Sequence, residues 1–334
     1  MANGLTSELN FLKRGLSGSQ IAGLKGLAES LDDNWWKEVL ESNKLLLAVR
    51  NGYLNAYVKG QSVFKIGFGK GGSGGSEPRL AIHYKYLVKP DLENKDPYVS
   101  FDGKTFHLEP DTIVNREFES KLTLPQLIRT AARFAGAEKS GVHKIASNEP
   151  KVIDLEIAFT KAGENGDLSA PRMDIAILVP GETGGAELVF CEAKCADNPE
   201  LWNREKAPKG AKAPATPLHS TAVIGQIKKY EQFIRAEETQ QSLIDGYVSV
   251  CKNLVEIGRQ SSARQVDDLV RKIAEGLNLS IHPHVYLLIY DFGEDEKKGR
   301  IKRKRKELDE AGLRTIAKGD PGDFQLANDI MRAR

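Results

Sequence analysis

The sequence predicts an α/β protein: a mixed sheet flanked by helices, preceded by a helical and antiparallel β region. Three observations carry this. Residues 45–108 alternate apolar and polar positions between glycine-bearing turns, the pattern of an antiparallel meander. Strand-like runs at 152–159, 175–179 and 187–191 precede helical spacing around 222–236, 241–258 and 264–277. Val285-Tyr286-Leu287-Leu288-Ile289-Tyr290 is continuously apolar, as a strand covered on both faces requires. At 334 residues the chain has room for two domains, which we place at 1–110 and 111–334, the second with a basic C-terminal segment.

In chain order, Leu5, Leu9, Leu12, Leu16 and then Ile21, Leu24, Leu27, Leu31 predict short helices broken by Gly15, Gly18, Gly23 and Gly26. Trp35-Trp36 could stack on bases or anchor a core. Leu45–Val49, Tyr53–Val58, Ser62–Phe68, Arg79–Val88 and Tyr98–Leu108 read as strands, turned at Asn51-Gly52, Lys59-Gly60 and Asp102-Gly103. The glycine-rich stretch Gly67–Ser76 lacks a terminal G-K-[ST] and no helix follows it, so it fails as a phosphate cradle and reads as a surface loop. Thr123-Leu124-Pro125 opens a helix with an apolar stripe that ends at Gly136.

Val152–Phe159 alternates, with Asp154 and Glu156 on one face, either solvated or near Asp174. Ile175–Val179 and Glu187–Cys191 then form two strands around the turn Pro180–Gly185. Because successive side chains alternate faces, Glu192 and Lys194 project to one side and Ala193 to the other. If Asp174 reaches that face from the neighbouring strand, two carboxylates meet within reach of one hard cation, with an amine alongside.

These residues resemble the PD-(D/E)XK nuclease superfamily: the aspartate falls on Asp174, the E-x-K on Glu192-Ala193-Lys194, and Pro171-Arg172-Met173 departs from a literal P-D. Gln226 and Tyr230, one turn apart on the next helix, are similar to the Q-x-x-x-Y of the RecB-type branch. The resemblance covers roughly a third of the chain, in the family's order of elements. It implies a restriction-endonuclease-like fold and Mg²⁺ or Mn²⁺ held by Asp174, Glu192 and the Ala193 carbonyl. It further implies that Lys194 orients the attacking water and offsets charge on the phosphate, with Gln226 and Tyr230 bracing the site. The family's additional acidic ligand, commonly on a helix, has no clear counterpart. Glu117, Glu119, Glu138 and Glu156 are the candidates.

The implied activity is metal-dependent hydrolysis of nucleic acid, DNA ahead of RNA, in a restriction or anti-phage defence setting, with residues 1–110 choosing the substrate. A homo-oligomer or a defence-system protein would be the further partner. The rival readings are a nucleic-acid-binding or assembly protein without turnover on the same fold, and a chance motif in an unrelated α/β domain.

The net charge of +2, from 48 basic and 46 acidic residues, does not announce a nucleic-acid binder, so local clusters must carry that reading. They are Lys228 and Lys229, and the segment 297–306, where Lys297, Lys298, Arg300, Lys302, Arg303, Lys304, Arg305 and Lys306 fall together. A phosphate-binding patch and a solvated helix balanced by Glu307, Asp309 and Glu310 are even alternatives. Loop 197–219, with Lys206, Lys209 and Lys212, should lie at the mouth of the site. No apolar run approaches the roughly 20 residues of a membrane span, and residues 1–8 lack the character of a signal peptide. A cytoplasmic protein is expected. Cys191, Cys195 and Cys251 imply no disulfide framework, and the six scattered histidines no structural zinc.

Overall fold

The structure, a computed structural model, describes residues 12–71, 75–87, 98–107, 117–159, 171–182, 184–203 and 221–334. The N-terminal Leu5 and Leu9 and the lysines of loop 197–219 lie outside them. The chain divides into two units, one of Lys13–Lys139 with Asp245–Leu277, the other of Met1–Leu12, Ser140–Ile244 and Asn278–Arg334. The break expected near 110 falls inside the first of these.

The first unit is built on a six-stranded sheet in sequential order: β1 (Leu46–Val49), β2 (Leu54–Val58), β3 (Gln61–Lys70), β4 (Ser76–His83), β5 (Tyr98–Phe101) and β6 (Phe106–His107). Every neighbouring pair is antiparallel, as the turn residues lead one to expect. Lys59 and Gly60 both take positive φ, 46° and 70°, which matches the right-handed twist of a tight hairpin. Of the glycine-rich stretch, residues 67–70 belong to β3 and Ser76 to β4, and the Gly71 N–H donates to the Gly75 carbonyl at 2.8 Å.

One reading of this region is corrected, and for Trp35-Trp36 the core-anchor alternative holds. Gly18, Gly23 and Gly26 do not break a helix but lie within α1 (Gly18–Glu29), capped by Ser17. A Cβ on Gly23 would meet the Ser76 carbonyl at 2.2 Å, so the helix needs a glycine there to approach β4. Trp35 and Trp36 open α2 (Trp35–Glu41) and are 3% and 0% exposed, and Trp36 Nε1 donates to Gln260 Oε1 at 2.9 Å. They anchor the core.

Helix α3 (Thr123–Arg133) buries Leu124, Leu127, Ile128 and Ala131. Thr123 is its first residue rather than its cap, and the hydroxyl turns back to accept the Glu119 N–H at 2.8 Å. Helix α4 (Ala137–Ser147) leads into the second unit, where α5 (Pro199–Trp202) and α6 (Ala222–Arg235) follow, and α7 (Glu237–Gly258) leads back to the first. Residues 264–267, expected to be helical, belong to no helix, and the extended Asp267 caps α8 (Asp268–Ala274). Arg264 instead donates to the carbonyls of Val39, Ser42 and Leu45 at 2.7, 3.3 and 3.2 Å, satisfying the end of α2.

The second unit holds a mixed sheet of β7 (Val152–Ala158), β8 (Arg172–Pro180), β9 (Ala186–Cys195), β10 (Leu279–Ile281), β11 (Tyr286–Tyr290) and β12 (Arg314–Ala317). Its order is β12-β11-β9-β8-β7, with β10 also on β9. β7, β8 and β9 run antiparallel, and β10, β11 and β12 parallel, to their neighbours. β11 lies between β9 and β12 with all five residues buried, which is why its run of apolar residues is unbroken. Helices α9 (Glu294–Lys298), α10 (Arg300–Glu310) and α11 (Leu326–Arg332) complete the unit. Among the described residues no helix is long and apolar enough to cross a membrane.

Candidate active site

Asp174 lies near the start of β8. Its successor Ile175 pairs with Cys191 on β9, so one step along the antiparallel register sets Asp174 level with Glu192 on the same face. Asp174 Oδ2 accepts the Ala193 backbone N–H at 2.8 Å. Glu192 and Lys194 are both buried, at 3% and 5% exposure, and the Lys194 ammonium donates to Glu192 Oε1 at 2.9 Å. From α6, Gln226 Nε2 donates to the same Oε1 at 3.0 Å and to the Tyr230 hydroxyl at 2.8 Å. The one-turn spacing of Gln226 and Tyr230 makes this possible. The structure thus brings together all five side chains singled out in the sequence.

The electrostatics are those of crowded acids. Burial first, and Glu192 second, push the Asp174 carboxyl well above the usual aspartate range, against the pull of the Ala193 N–H and of Lys194. Burial draws the Lys194 ammonium down, but Glu192 and Glu200 outweigh it and hold it above the usual lysine range. Tyr230 is pushed up to about 12 by burial and by Glu192, so it is a neutral phenol at physiological pH. Lys194 is therefore a fixed cation set between acids.

One residue, Glu200, gains a place that the sequence did not give it, and one of the four candidate acids, Glu156, is brought beside Asp174. Glu200, on α5, lies with its Oε2 2.7 Å from Lys194 Nζ. Glu156 lies between Leu155 and Ile157, the partners of Ile175 and Met173, and so is level with Asp174 on the other side from β9. It raises the Asp174 pKa further, and its φ is +51°, in the left-handed region a glutamate rarely adopts. Glu117, Glu119 and Glu138 belong to the other unit. Asp154, read as sharing a solvated face with Glu156, is 1% exposed, and its Oδ1 accepts the Leu155 N–H at 2.8 Å.

The donor set suits a hard divalent cation: two carboxylates and the Ala193 carbonyl are oxygen ligands, and Mg²⁺ is commonly held by one or two carboxylates and water. The unfavourable burial of Asp174 beside Glu192 is what such a cation relieves. Among the described residues, no three Asp, Glu, His or Cys side chains are gathered into a ready metal set.

The basic residues separate into two groups. Lys228 and Lys229 are exposed on α6, and Lys302, Arg303 and Arg305 are exposed on α10. Arg300 pairs with Asp197 and, at 2.6 Å, with Glu296, and its Cζ lies 5.1 Å from the Trp202 ring centre. Lys304 is buried, 2.7 Å from Glu307 and 5.2 Å from the same ring. These two cations are engaged within the chain.

No known family model, curated protein or solved structure matches the chain.

Proposed function

We propose that the chain is a metal-dependent nuclease of the PD-(D/E)XK type, with a restriction-endonuclease-like sheet, hydrolysing phosphodiester bonds in nucleic acid, DNA ahead of RNA. One observation carries the reading. Asp174, Glu192 and Lys194 share one face of two adjacent strands, and from the following helix Gln226 binds Glu192 and the Tyr230 hydroxyl.

Asp174, Glu192 and the Ala193 carbonyl would hold Mg²⁺ or Mn²⁺. Bound there, the ion supplies polarisation of the phosphate and a water of lowered pKa. The chain's own residues do the rest. Lys194 presents a permanent positive charge beside the acids, where it offsets negative charge growing on the phosphate oxygens. Gln226 holds the Glu192 carboxylate in one orientation and ties it to the Tyr230 hydroxyl. Lys302, Arg303 and Arg305 on α10, with Lys228 and Lys229 on α6, are exposed cations through which the phosphate backbone would be met.

The test is a cleavage assay on circular, linear and single-stranded DNA and on RNA, with Mg²⁺ and Mn²⁺. The expected result is divalent-dependent cleavage of at least one substrate, lost in Lys194→Ala. Full activity in that variant rules the assignment out. Binding without cleavage in any of these conditions would favour the second reading, a nucleic-acid-binding or assembly protein without turnover.

A further inference from the structure

The two carboxylates that hold Lys194 are not equivalent. Glu192 is buried, lies two residues back on the same strand, and is also bound by Gln226. Glu200 sits on α5, a single helical turn just past the end of β9, and its side chain is 48% exposed.

That turn is fixed at both ends. Asn198 Oδ1 accepts the Glu200 backbone N–H at 2.9 Å, and Trp202 Nε1 donates to the Ala196 carbonyl at 2.7 Å. The Trp202 ring in turn lies against Arg300 and Lys304 of α10. Anchored in this way, the backbone presents the Glu200 carboxylate to the ammonium at 2.7 Å.

A carboxylate and a phosphate oxygen compete for the same ammonium protons. Only one of the two acids can give way. Glu192 is enclosed, whereas Glu200 can swing into water. We infer that Glu200 is a positioning residue for Lys194: it holds the ammonium in place in the free protein and is exchanged for a phosphate oxygen when nucleic acid binds. The inference rests on the nuclease-type reading of the site. Glu200 then acts in two opposed ways, since it orients Lys194 and it competes with substrate. Removing its charge should strengthen phosphate binding while leaving the amine less well placed for turnover.

The experiment is fluorescence anisotropy of labelled single-stranded and duplex oligonucleotides in EDTA, with thermal melts to confirm folding. It uses the wild type, Glu200→Gln, Glu200→Asp, Lys194→Ala and the Glu200→Gln/Lys194→Ala double variant. Glu200→Gln is expected to bind about threefold more tightly than wild type, the size that a half-exposed ion pair supports. Glu200→Asp, which keeps the charge, should bind like wild type. The double variant should bind no more tightly than Lys194→Ala alone.

No gain in Glu200→Gln overturns the inference. So does an equal gain in both backgrounds, because that is the effect of removing any negative charge. Absence of binding by every protein, wild type included, both in EDTA and with Ca²⁺ in its place, overturns the nuclease-type reading itself, a different result from binding that Glu200 fails to influence. Where cleavage is measurable, Glu200→Gln should lower KM and kcat together, and Glu200→Asp should restore both.

Discussion

Asp174 and Ala193 are joined by a hydrogen bond across two strands, Asp174 Oδ2 accepting the Ala193 N–H at 2.8 Å. The bond fixes the acid of β8 against the centre of the E-x-K segment on β9.

Asp174 is the acid whose ionisation the fold opposes most clearly. Its folded pKa lies well above the ordinary 3.8, so the neutral acid favours folding. That contribution is present below the ordinary value and is lost as pH rises toward the folded one. Asp174→Asn keeps an oxygen for the Ala193 N–H and removes the charge. Without divalent metal, it should melt a few degrees above wild type at pH 7–8 and level with it near pH 3.5, since each kcal/mol moves Tm by about 2–4 °C in a domain of this size. Adding Mg²⁺ should raise the wild-type Tm and leave the variant's unchanged. A variant that melts below wild type at pH 7.5 would contradict the account.

Lys194→Ala should retain the fold by circular dichroism and lose at least about 100-fold in kcat, the usual cost of deleting one preorganised donor at a reacting centre. The change also leaves Glu192 buried without its ammonium, which is costly for a buried pair. Its Tm should therefore fall.

Gln226 and Tyr230 should differ in severity. Gln226→Ala takes a donor from a buried carboxylate and is expected to cost about 1.5–3 kcal/mol in transition-state stabilisation, read from kcat/KM. Tyr230→Phe removes only an acceptor of the Gln226 amide, and a loss under about 1.5 kcal/mol is expected. Equal losses would mean that the tyrosine touches substrate.

The cations of α10 should sort by their surroundings. Replacing Lys302, Arg303 and Arg305 by alanine should weaken nucleic-acid binding and leave Tm nearly unchanged. The slope of log K against log salt should become shallower by about 1 for each phosphate that is no longer neutralised. Arg300→Ala and Lys304→Ala should lower Tm, because both side chains pack on Trp202 and pair with acids of the chain. Denaturation curves and salt titrations of the same proteins separate the two effects.

Much of the fold can be read from local pattern. The meander follows from alternation and from turns such as Lys59-Gly60, and the core position of β11 from a run of apolar residues that no half-exposed strand could carry. The site is legible for a related reason: alternation along β9 sets Glu192 and Lys194 on one face, and a helical turn aligns Gln226 with Tyr230. What escaped depends on distant partners. Gly23 is needed because β4 approaches α1, and nothing within the helix itself says so. Glu200 meets Lys194 through a chain return between strand and helix, a spacing with no period to betray it. Asp154 is buried at an irregular register between β7 and β8, where alternation misleads. The segment 245–277 joins the N-terminal sheet only through packing between residues far apart in sequence.

The parallel pairing of β9 with β11 has a cost during synthesis. The strand that carries Glu192 and Lys194 leaves the ribosome before residues 196–285 and well before the neighbour that covers its flank. Until Tyr286–Tyr290 arrives, a very apolar ribbon has one open edge, the kind of surface on which nascent chains stick to one another. Slow, concentration-sensitive maturation of the newly made protein is the expected consequence of building the centre from segments so widely spaced.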